Sequence, residues 1–323
     1  MRYLITGGSG YIGTRLVESL AARAETEQVV NLDIHPPVRA SQKSIFVQSD
    51  VRDHAELRNI LERHEIDWLI HLAFIVNPLH DEALMYDIDV NGTKAVLRAV
   101  SEAGTRHALV ASSVMAYGAF PDNPRPIYED WPVRGMPGFS YARHKSEVDL
   151  ICQRWAAEHS DRQLAIVRPC IVFGPNVDNY IVRRFREPFW PVPDGVEEQL
   201  QLIHEDDLVR GLETLIDGQY SGVFNIAGDD TMGWREAATA VGLKPRVMPF
   251  RLVYLMEKLR WIFRLNEAPP GNLDVLRFPW VVSSEKLKEA TGWKPRYTTR
   301  ETFEITMRSR GWLRQEKPST PGP

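Results

Sequence analysis

Cysteine is scarce in this sequence of 323 residues, which contains only Cys152 and Cys170. Two cysteines cannot form the framework of several disulfides that stabilises small secreted proteins. Each of the two lies in an apolar segment, which is typical of a buried and reduced thiol. The scarcity of cysteine therefore favours a reducing, cytoplasmic location.

Long apolar runs are also missing. The N-terminus reaches its first glycine pair too early for the apolar core of about 7–15 residues of a signal peptide. No stretch has the roughly 18 apolar residues of a membrane span. The aromatic and basic segment 251–265 is interrupted by Glu257, Lys258 and Arg260. We interpret it as an amphipathic helix that covers a pocket, and we expect no membrane partner.

A large charge of one sign is absent, because 39 basic residues face 43 acidic ones and the formal net charge is −4. This balance gives no electrostatic reason to expect a nucleic acid partner. His71 and His204 each lie at the end of a predicted strand without a second ligand at metal-binding spacing, so we expect structural histidines and no metal. Asp206 and Asp207 are predicted to cap the helix that follows.

The first half of the chain alternates β-branched segments with helical ones. Strands are predicted at 3–6, 29–33, 44–50, 68–73, 107–113 and 164–170, and helices at 11–22, 54–64, 81–102 and 140–159. This order predicts an α/β fold, a Rossmann-type doubly wound parallel sheet with right-handed crossovers.

The alternation becomes irregular after residue 169, where prolines and aromatic residues cluster. We therefore predict a sheet domain of residues 1–168 and 200–227, and a smaller, mostly helical substrate domain of residues 169–199 and 228–313. Residues 314–323 lack apolar side chains and are predicted to be a disordered tail.

The strongest local signal is the segment TGGSGYIG at residues 6–13, in which Gly7, Gly10 and Gly13 have the spacing G-x-x-G-x-x-G. It follows a predicted strand and opens a predicted helix, as a dinucleotide-binding loop requires. Glycine lets the backbone approach a pyrophosphate, and the helix N-terminus offers that anion free N–H groups. The alternative is a glycine-rich turn without a ligand.

Asp33 ends the second predicted strand. A carboxylate there accepts hydrogen bonds from the adenosine ribose and repels the additional phosphate of NADP. Ile34 follows it, where an NADP site often has a basic residue. The sequence thus favours NAD, with His35 and Arg39 nearby as the features against this choice; the alternative for Asp33 is a solvated loop carboxylate.

Tyr141 and Lys145 stand four residues apart in a predicted helix and therefore share one face. An ammonium group close to a phenol favours the phenolate, so we expect the pKa of Tyr141 to lie below its usual value of about 10. Such a tyrosine can exchange a proton with a substrate hydroxyl or carbonyl group. By itself the pattern is weak, because such pairs are common on helix surfaces.

Ser112 and Ser113 follow a predicted buried strand. Ligands of open α/β sheets bind outside the carboxyl ends of the strands, so Ser113 is expected to donate a hydrogen bond to a substrate oxygen. The alternative, which we expect for one of the two serines, is turn chemistry after the strand.

Together these motifs form an ordered series that resembles a known family. The series consists of TGGSGYIG, Asp33, Asp50-Val51, HLA at 71–73, DVNGT at 89–93, SSVMAYG at 112–118, YARHK at 141–145 and RPCIVFGP at 168–175. This order resembles the extended short-chain dehydrogenase/reductase family, in its NAD-dependent epimerase/dehydratase branch, over residues 1 to about 313.

The resemblance implies that Tyr141 is the general acid/base, that Lys145 is its electrostatic partner and ribose ligand, and that Ser113 is the catalytic serine. Asn91 is implied to hold a helix kink beside the site. A homodimer through the helices at 81–102 and 140–159 is implied as well. The residues expected on these grounds to contact NAD are Gly7, Gly10, Tyr11, Ile12, Gly13, Asp33, Asp50, Val51, Leu72, Ala73, Asn91, Ser112, Tyr141, Lys145, Arg168 and Ile171.

One departure from the family concerns the reaction. Dehydratases of this branch have an acidic pair where this sequence has Val114, Met115 and Ala116. None of these side chains can donate or accept a proton, so we do not expect 4,6-dehydratase chemistry. Hydride transfer with a proton relay remains, as net oxidation or reduction or as epimerisation.

A second departure concerns the substrate, because Leu200 and Gln201 stand where many nucleotide-sugar epimerases have a diphosphate-binding arginine. The possible substitutes are Arg183, Arg184, Arg186 and Arg277. The same region is rich in aromatic residues, namely Phe185, Phe189, Trp190, Tyr254, Trp261 and Phe263. They indicate either a pocket for a more apolar substrate or the core of the smaller domain.

Three hypotheses follow for the function. The first is an NAD-dependent epimerase of a nucleotide sugar, most similar to a UDP-hexose 4-epimerase. The second is a net dehydrogenase or reductase of an apolar, steroid-like or isoprenoid-like alcohol or ketone. The third is a noncatalytic NAD-binding regulator, against which the complete set of Ser113, Tyr141 and Lys145 argues.

Overall fold

The structure, a computed structural model, describes residues 1–188, 190–194 and 199–313. Its strands are β1 (Arg2–Thr6), β2 (Gln28–Asp33), β3 (Ser44–Gln48), β4 (Trp68–His71), β5 (His107–Ala111), β6 (Gln163–Pro169), β7 (Ile171–Phe173), β8 (Pro191–Pro193), β9 (Gln199–Leu200), β10 (Leu202–His204), β11 (Gly222–Ile226), β12 (Met232–Gly233) and β13 (Arg246–Met248). Its helices are α1 (Tyr11–Ala21), α2 (His54–Arg63), α3 (Glu82–Tyr86), α4 (Gly92–Ala103), α5 (Ser140–Glu158), α6 (Tyr180–Arg184), α7 (Glu205–Asp217), α8 (Trp234–Ala240), α9 (Phe250–Ile262), α10 (Glu285–Thr291) and α11 (Thr299–Ser309).

Seven of these strands form a central sheet in the order β11-β6-β5-β4-β1-β2-β3. All neighbouring pairs are parallel, which confirms the predicted doubly wound α/β fold. The strand order reverses between β1 and β4, where Thr6 is level with His71. Such a reversal opens a crevice at the carboxyl ends of the strands, and ligands of these folds bind there.

Side chains alternate across the sheet, so each strand supplies two cores. Tyr3 and Ile5 of β1 pack in the core that includes Leu16 of α1 and Leu212 of α7. Leu4 points to the opposite face, into the core formed with α2, α4 and α5. Helices therefore cover both faces of the sheet, as its nearly continuous apolar strands require.

The predicted long helix at 81–102 is interrupted. Its chain forms α3, a π-helical turn at Asp87–Asn91, and then α4. In the turn the Asp89 carboxylate accepts the Ile75 N–H at 2.9 Å, and the Thr93 hydroxyl donates to the Asp89 carbonyl at 2.6 Å. These two hydrogen bonds compete with the regular backbone hydrogen bonds of an α-helix. The periodicity of the sequence alone does not reveal this interruption. The other elements predicted in this half are present, with ends shifted by at most two residues.

We use the name smaller lobe for the elements that follow β6, apart from α7 and β11. Three short strand pairs, β7 with β10, β8 with β13 and β9 with β12, connect its helices. Its apolar residues continue the core of α1 and α7 without interruption. Phe189 and the tail predicted at 314–323 lie outside the described residues. No helix in the described part of the chain has both the length and the apolarity needed to cross a bilayer.

Candidate functional site

The glycine loop lies at the strand-order reversal. Gly7 has φ +72°, and a Cβ atom there would lie 2.7 Å from the Ala73 backbone nitrogen. A Cβ on Gly13 would collide with the Gly7 carbonyl oxygen, and Gly10 precedes α1 without any side-chain cap. Glycine is therefore required for close packing here, and the first N–H groups of α1 remain available to an anion.

Asp33 lies beside this loop at the end of β2. Its carboxylate accepts the Ser9 N–H and the His35 N–H, each at 3.1 Å. The side chain is half-buried, whereas that of Ile34 is exposed. The structure thus places a carboxylate next to the glycine loop; its predicted contact with the ribose stays a prediction.

Tyr141, Lys145 and Ser113 meet on the wall of one cavity, together with the glycine loop. The Ser113 side chain accepts the Met115 N–H at 3.1 Å and lies close enough to the Tyr141 hydroxyl to lower the pKa of that tyrosine in part. The Lys145 ammonium group donates to the Ala111 carbonyl oxygen at 2.7 Å and lies 3.5 Å from the centre of the Phe74 ring. Helix α5 and the end of β5 therefore bring the three predicted catalytic side chains together.

The expected low pKa of Tyr141 is wrong for this structure. Burial raises the pKa of Tyr141 to about 12, and the nearby Ser113 side chain reduces that effect only in part. Burial also lowers the pKa of Lys145 to about 8. The Lys145 ammonium group lies 5.9 Å from the centre of the Tyr141 ring and is directed at a carbonyl oxygen. The cost of burying the Tyr141 phenolate therefore outweighs the attraction between the phenolate and this ammonium group.

Arg168 has a structural role, which corrects its predicted contact with NAD. Its guanidinium group is fully buried and bonded to both carboxylate oxygens of Asp149, at 2.6 and 2.8 Å. It also donates to the Tyr117 hydroxyl. Ser112 lines the cavity, but its hydroxyl group donates to Asp149 at 2.6 Å. The turn bond expected for one of the two serines is made by Ser113, whose side chain accepts the Met115 N–H at 3.1 Å.

The other predicted NAD contacts divide into two groups. Gly7, Gly10, Tyr11, Ile12, Gly13, Leu72 and Ile171 line the cavity. Ala73 lies directly behind Gly7. By contrast, Asp50 is bonded to Arg52, and the Val51 side chain packs under Gly92. Asn91 is exposed and donates to Asp87 at 2.9 Å, so these three lie away from the cavity lining.

Asp89 is a supporting residue that sequence analysis missed. It is completely buried and accepts hydrogen bonds from the Ile75 N–H and, at 3.0 Å, from His144 Nδ1. Burial raises the pKa of this carboxyl group. The π-helical turn therefore fixes the segment that carries Phe74 over Lys145. The motif DVNGT contains this aspartate, but the sequence analysis singled out the asparagine of the motif as the structural residue.

Glu205 was missed as well. Its buried carboxylate accepts the Tyr11 hydroxyl and, at 2.6 Å, the Asn176 amide, and it pairs with Arg15 at 3.1 Å. It thereby fixes Tyr11, which lines the cavity. The predicted caps of α7 are also corrected: His204 is the capping residue and accepts the Asp206 N–H at 3.2 Å.

His71 lies between two threonine hydroxyls, with Thr6 at 2.7 Å and Thr93 at 3.0 Å. Burial, reinforced by the charge of Lys145, lowers the pKa of His71 to about 3, so the ring is neutral. This geometry fits a structural histidine. Among the described residues no group of three or more potential metal ligands is found.

The opposite end of the cavity, in the smaller lobe, contains a mixed charge network. Arg184 pairs with Glu187 and, at 3.3 Å, with Glu257, and Asn266 donates to Glu257 at 2.8 Å. All four residues line the cavity. The cation here is thus already neutralised by carboxylates of the chain itself.

Neither residue at the expected arginine position faces this cavity. Leu200 is fully buried, and the Gln201 amide bonds the backbone of Gly228 and Val282 at 2.9 and 3.0 Å. Of the possible substitutes, only Arg184 is on the described cavity wall. The other three arginines are engaged elsewhere: Arg183 with Glu267, Arg186 over Trp312 and Arg277 over Phe250.

The aromatic residues of the lobe serve both predicted purposes. Phe185 and Trp190 are buried with ring centres 5.0 Å apart, and Trp190 also lines the cavity. Tyr254 and Phe263 are exposed, and Trp261 stacks on His80 at 3.7 Å. The set therefore belongs partly to the core, partly to the cavity wall and partly to the surface.

Comparison with known proteins places this geometry in context. The family model of the NAD dependent epimerase/dehydratase family matches residues 3–227. An uncharacterized protein of Mycobacterium tuberculosis is 24% identical over 315 residues, which cover 95% of this chain and 84% of that protein. The N-acetyl-alpha-D-glucosaminyl-diphospho-ditrans,octacis-undecaprenol 4-epimerase of Escherichia coli O157:H7 is 29% identical over 177 residues, 53% of this chain and 49% of that protein.

Among solved structures, the UDP-glucose 4-epimerase of Thermotoga maritima, in complex with UDP-glucose, matches with a TM-score of 0.75. It is 19% identical in sequence, and the match covers 96% of this chain and 99% of that one. At this identity the likeness shows that the fold is shared.

Proposed function

The chain belongs to the NAD dependent epimerase/dehydratase family, and from this premise we propose an NAD-dependent enzyme that transfers a hydride at a hydroxyl-bearing or carbonyl carbon of its substrate. The observation that carries the proposal is the meeting of Tyr141, Lys145 and Ser113 with the glycine loop in one cavity. A noncatalytic regulator would have no need to keep these three side chains together.

The residues present fit NAD. A side chain at Gly7 would collide with the Ala73 backbone and one at Gly13 with the Gly7 carbonyl, so only glycine permits this tight turn at the start of α1. The free N–H groups at the start of α1 would hold the pyrophosphate. Asp33, half-buried beside the loop, would accept the ribose hydroxyls and disfavour the extra phosphate of NADP.

The chain supplies the proton chemistry, while bound NAD supplies or accepts the hydride. With a pKa near 12, the Tyr141 hydroxyl is protonated at neutral pH and can donate to a developing alkoxide. In the reverse direction the phenolate that this donation leaves on Tyr141 takes the proton back from the substrate hydroxyl. Lys145, held by the Ala111 carbonyl, keeps a positive charge beside the reacting groups below pH 8.

The segment after Ser113 limits the reaction. Val114, Met115 and Ala116 form a buried 3₁₀ turn directly after it. None of these side chains can act as an acid or base in the elimination of water. We therefore propose epimerisation, in which hydride transfer is reversed within the site. A nucleotide sugar is the first candidate substrate, because the Thermotoga maritima neighbour is a UDP-glucose 4-epimerase.

A second candidate is net oxidation or reduction of a more apolar alcohol or ketone. The observation that favours it is the charge balance at the lobe end, where Arg184 is paired with Glu187 and Glu257. No diphosphate is needed to neutralise that arginine. Growth of NADH absorbance with farnesol would select this candidate, whereas interconversion of UDP-glucose and UDP-galactose without net NADH would select the first.

The Escherichia coli relative suggests how both observations can be reconciled. Its name describes a sugar joined through a diphosphate to undecaprenol, a substrate with a polar and an apolar part. The relative aligns with about half of this chain, so we take from it only the class of substrate: a hydroxylated head group with an apolar carrier.

The mechanism is tested by Tyr141→Phe. We expect NAD binding, measured by isothermal titration calorimetry, to stay within about threefold of the wild-type value. Turnover of whichever substrate is active should fall by about 10²–10⁴-fold, the usual contribution of a general acid/base. Tyr180→Phe is the matched control, because Tyr180 lines the same cavity and has no lysine four residues later. Equal turnover in the wild type and Tyr141→Phe would remove Tyr141 from the mechanism.

We also propose a cytoplasmic homodimer that associates through α4 and α5. Leu150 on α5 and Leu84 on α3 are exposed apolar side chains near these helices. The buried free thiols of Cys152 and Cys170 are compatible with a reducing compartment. The mass of a single chain in sedimentation velocity at micromolar concentration would contradict the dimer.

A further inference from the structure

Helix α9 presents apolar side chains to solvent. Val253 and Glu257 on one side are buried, as expected for the predicted helix over the pocket. The opposite side carries Leu255 and Ile262, which are 51% and 58% exposed. The α9 surface, as we define it, comprises Leu252, Tyr254, Leu255, Leu259, Ile262, Phe263 and Leu265. Solvent-facing helix sides are normally polar, so this surface lacks a partner.

The charges interspersed with these residues are all positive. Arg251 and Lys258 are exposed on the same side of α9, and Arg264 follows its end. None of the three forms an ion pair with another described residue. Glu257 of the same helix points inward, and the exposed Glu267 is bonded to Arg183. The α9 surface is therefore apolar and basic, which complements an anionic lipid interface.

This surface is continuous with the mouth of the cavity. Asn266 and Glu267, directly after Leu265, line the cavity. On the other side of the mouth, stacking of His80 on Trp261 holds the 74–80 segment against α9. Val76 in that segment is 44% exposed and also lines the cavity. The α9 surface therefore adjoins residues that line the substrate site on both of these segments.

We propose that the α9 surface docks on an anionic bilayer with the helix lying in the interface and the cavity mouth facing the lipid. This proposal replaces the expectation of no membrane partner. The 13 residues of α9 span only about 20 Å, which suits interfacial binding and is too short for a crossing. The consequence that a lipid-carried substrate enters directly rests on the proposed function; the docking itself does not.

The test is sedimentation of the full-length protein with vesicles of phosphatidylglycerol and, in parallel, of phosphatidylcholine. We expect binding to the anionic vesicles that weakens with salt, and little binding to the neutral ones. The triple variant Arg251→Gln, Lys258→Gln and Arg264→Gln should bind about 100-fold more weakly, since each basic residue near a charged surface contributes about fivefold. Leu255→Ser with Ile262→Ser should lose sedimentation at every lipid concentration.

The matched control removes the same charge elsewhere, with Arg63→Gln, Arg106→Gln and Lys294→Gln, which are exposed on other elements. It should bind vesicles like the wild type. An equal loss in this control, equal binding to both lipids, or no vesicle binding by the wild type would overturn the proposal. So would dimerisation through this surface, detected as a dimer that Ile262→Ser dissociates. Tyr141→Phe should still sediment with vesicles, so failure of the proposed catalysis and failure of docking are distinguishable.

Discussion

At the sheet end of the cavity, Lys145 is a buried cation whose ammonium group is bonded to the Ala111 carbonyl. At the lobe end, Arg184 is bonded to two carboxylates, those of Glu187 and Glu257. The two cations line one cavity. Among the described residues, no carboxylate lies at ion-pairing distance from Lys145, whereas two neutralise Arg184. A site can therefore contain both a reactive cation and a structural one, and the difference lies in the partners.

The candidate partner for Lys145 on its own helix is occupied. Asp149 lies one turn further along α5 and receives hydrogen bonds from Arg168, Ser112 and Gln153. Arg168 thus holds the carboxylate that would otherwise attract the lysine. Because the Arg168–Asp149 pair occupies this carboxylate, the Lys145 ammonium group donates to the Ala111 carbonyl instead. The pair thus supports the sheet end of the cavity indirectly.

The largest expected effect comes from breaking that pair with Arg168→Leu. Removal of one partner leaves a buried charge without compensation, so we expect the free energy of unfolding in urea to fall by about 3–5 kcal/mol. Asp149 would then attract Lys145 and raise the pKa of its ammonium group. Arg183→Leu, which removes an exposed pair with Glu267, should cost less than about 1 kcal/mol. Weaker NAD binding at unchanged stability would instead restore Arg168 as a cofactor contact.

A smaller effect of opposite sign is expected for Lys145→Met, which should abolish turnover yet stabilise the fold. The folded-state pKa of about 8 lies below the 10.5 of a free lysine, so the charged group opposes folding at pH 7. We expect a gain of about 2–3 kcal/mol in unfolding free energy at pH 7. Between pH 8 and 10.5 the wild type loses this penalty, and the advantage of the variant should disappear.

Lys94→Met provides the control for this titration, since Lys94 is exposed on α4. Its free energy of unfolding at pH 7 should lie within about 0.5 kcal/mol of the wild-type value. A Lys145→Met variant that is less stable than the wild type at pH 7 would show that the fold stabilises the ammonium group. That result would contradict the expectation that its burial opposes folding.

The smallest effect is expected at the lobe end. Glu257→Gln keeps the shape but removes one charge that Arg184, Arg260 and Asn266 share, and it should cost about 1–2 kcal/mol. Because Arg184 is then less neutralised, UDP should bind several times more tightly by calorimetry. Glu267→Gln at the same cavity wall should change stability by less than about 0.5 kcal/mol. Unchanged or weaker UDP binding in Glu257→Gln would show that Arg184 is not held back by this carboxylate.

The parts of the site that follow from local pattern were predictable. The glycine spacing after a strand places Gly7, Gly10 and Gly13 at the carboxyl end of β1, and the four-residue spacing puts Tyr141 and Lys145 on one side of α5. Each of these inferences needs only the neighbouring residues, because backbone geometry acts over a few positions.

The errors share one cause. The buried carboxylate of Asp89 in DVNGT was missed, and the role of Glu205 depends on Tyr11, 194 residues away. The tyrosine pKa was predicted from the nearness of a lysine, but burial dominates it. Burial and partner choice arise from segments that are distant in the chain.

The sequence by itself determined the order of strands and helices, the position of the glycine loop and the shared helix face of Tyr141 and Lys145, because periodicity and glycine spacing act locally. Only the tertiary structure decided which cations are left without a neutralising carboxylate and which predicted contacts are structural. It also decided that α9 exposes an apolar and basic side at the cavity mouth. These properties depend on burial, because neighbouring side chains that exclude water determine the charge and the partners of a group. Burial is determined by the packing of segments that are distant in the chain.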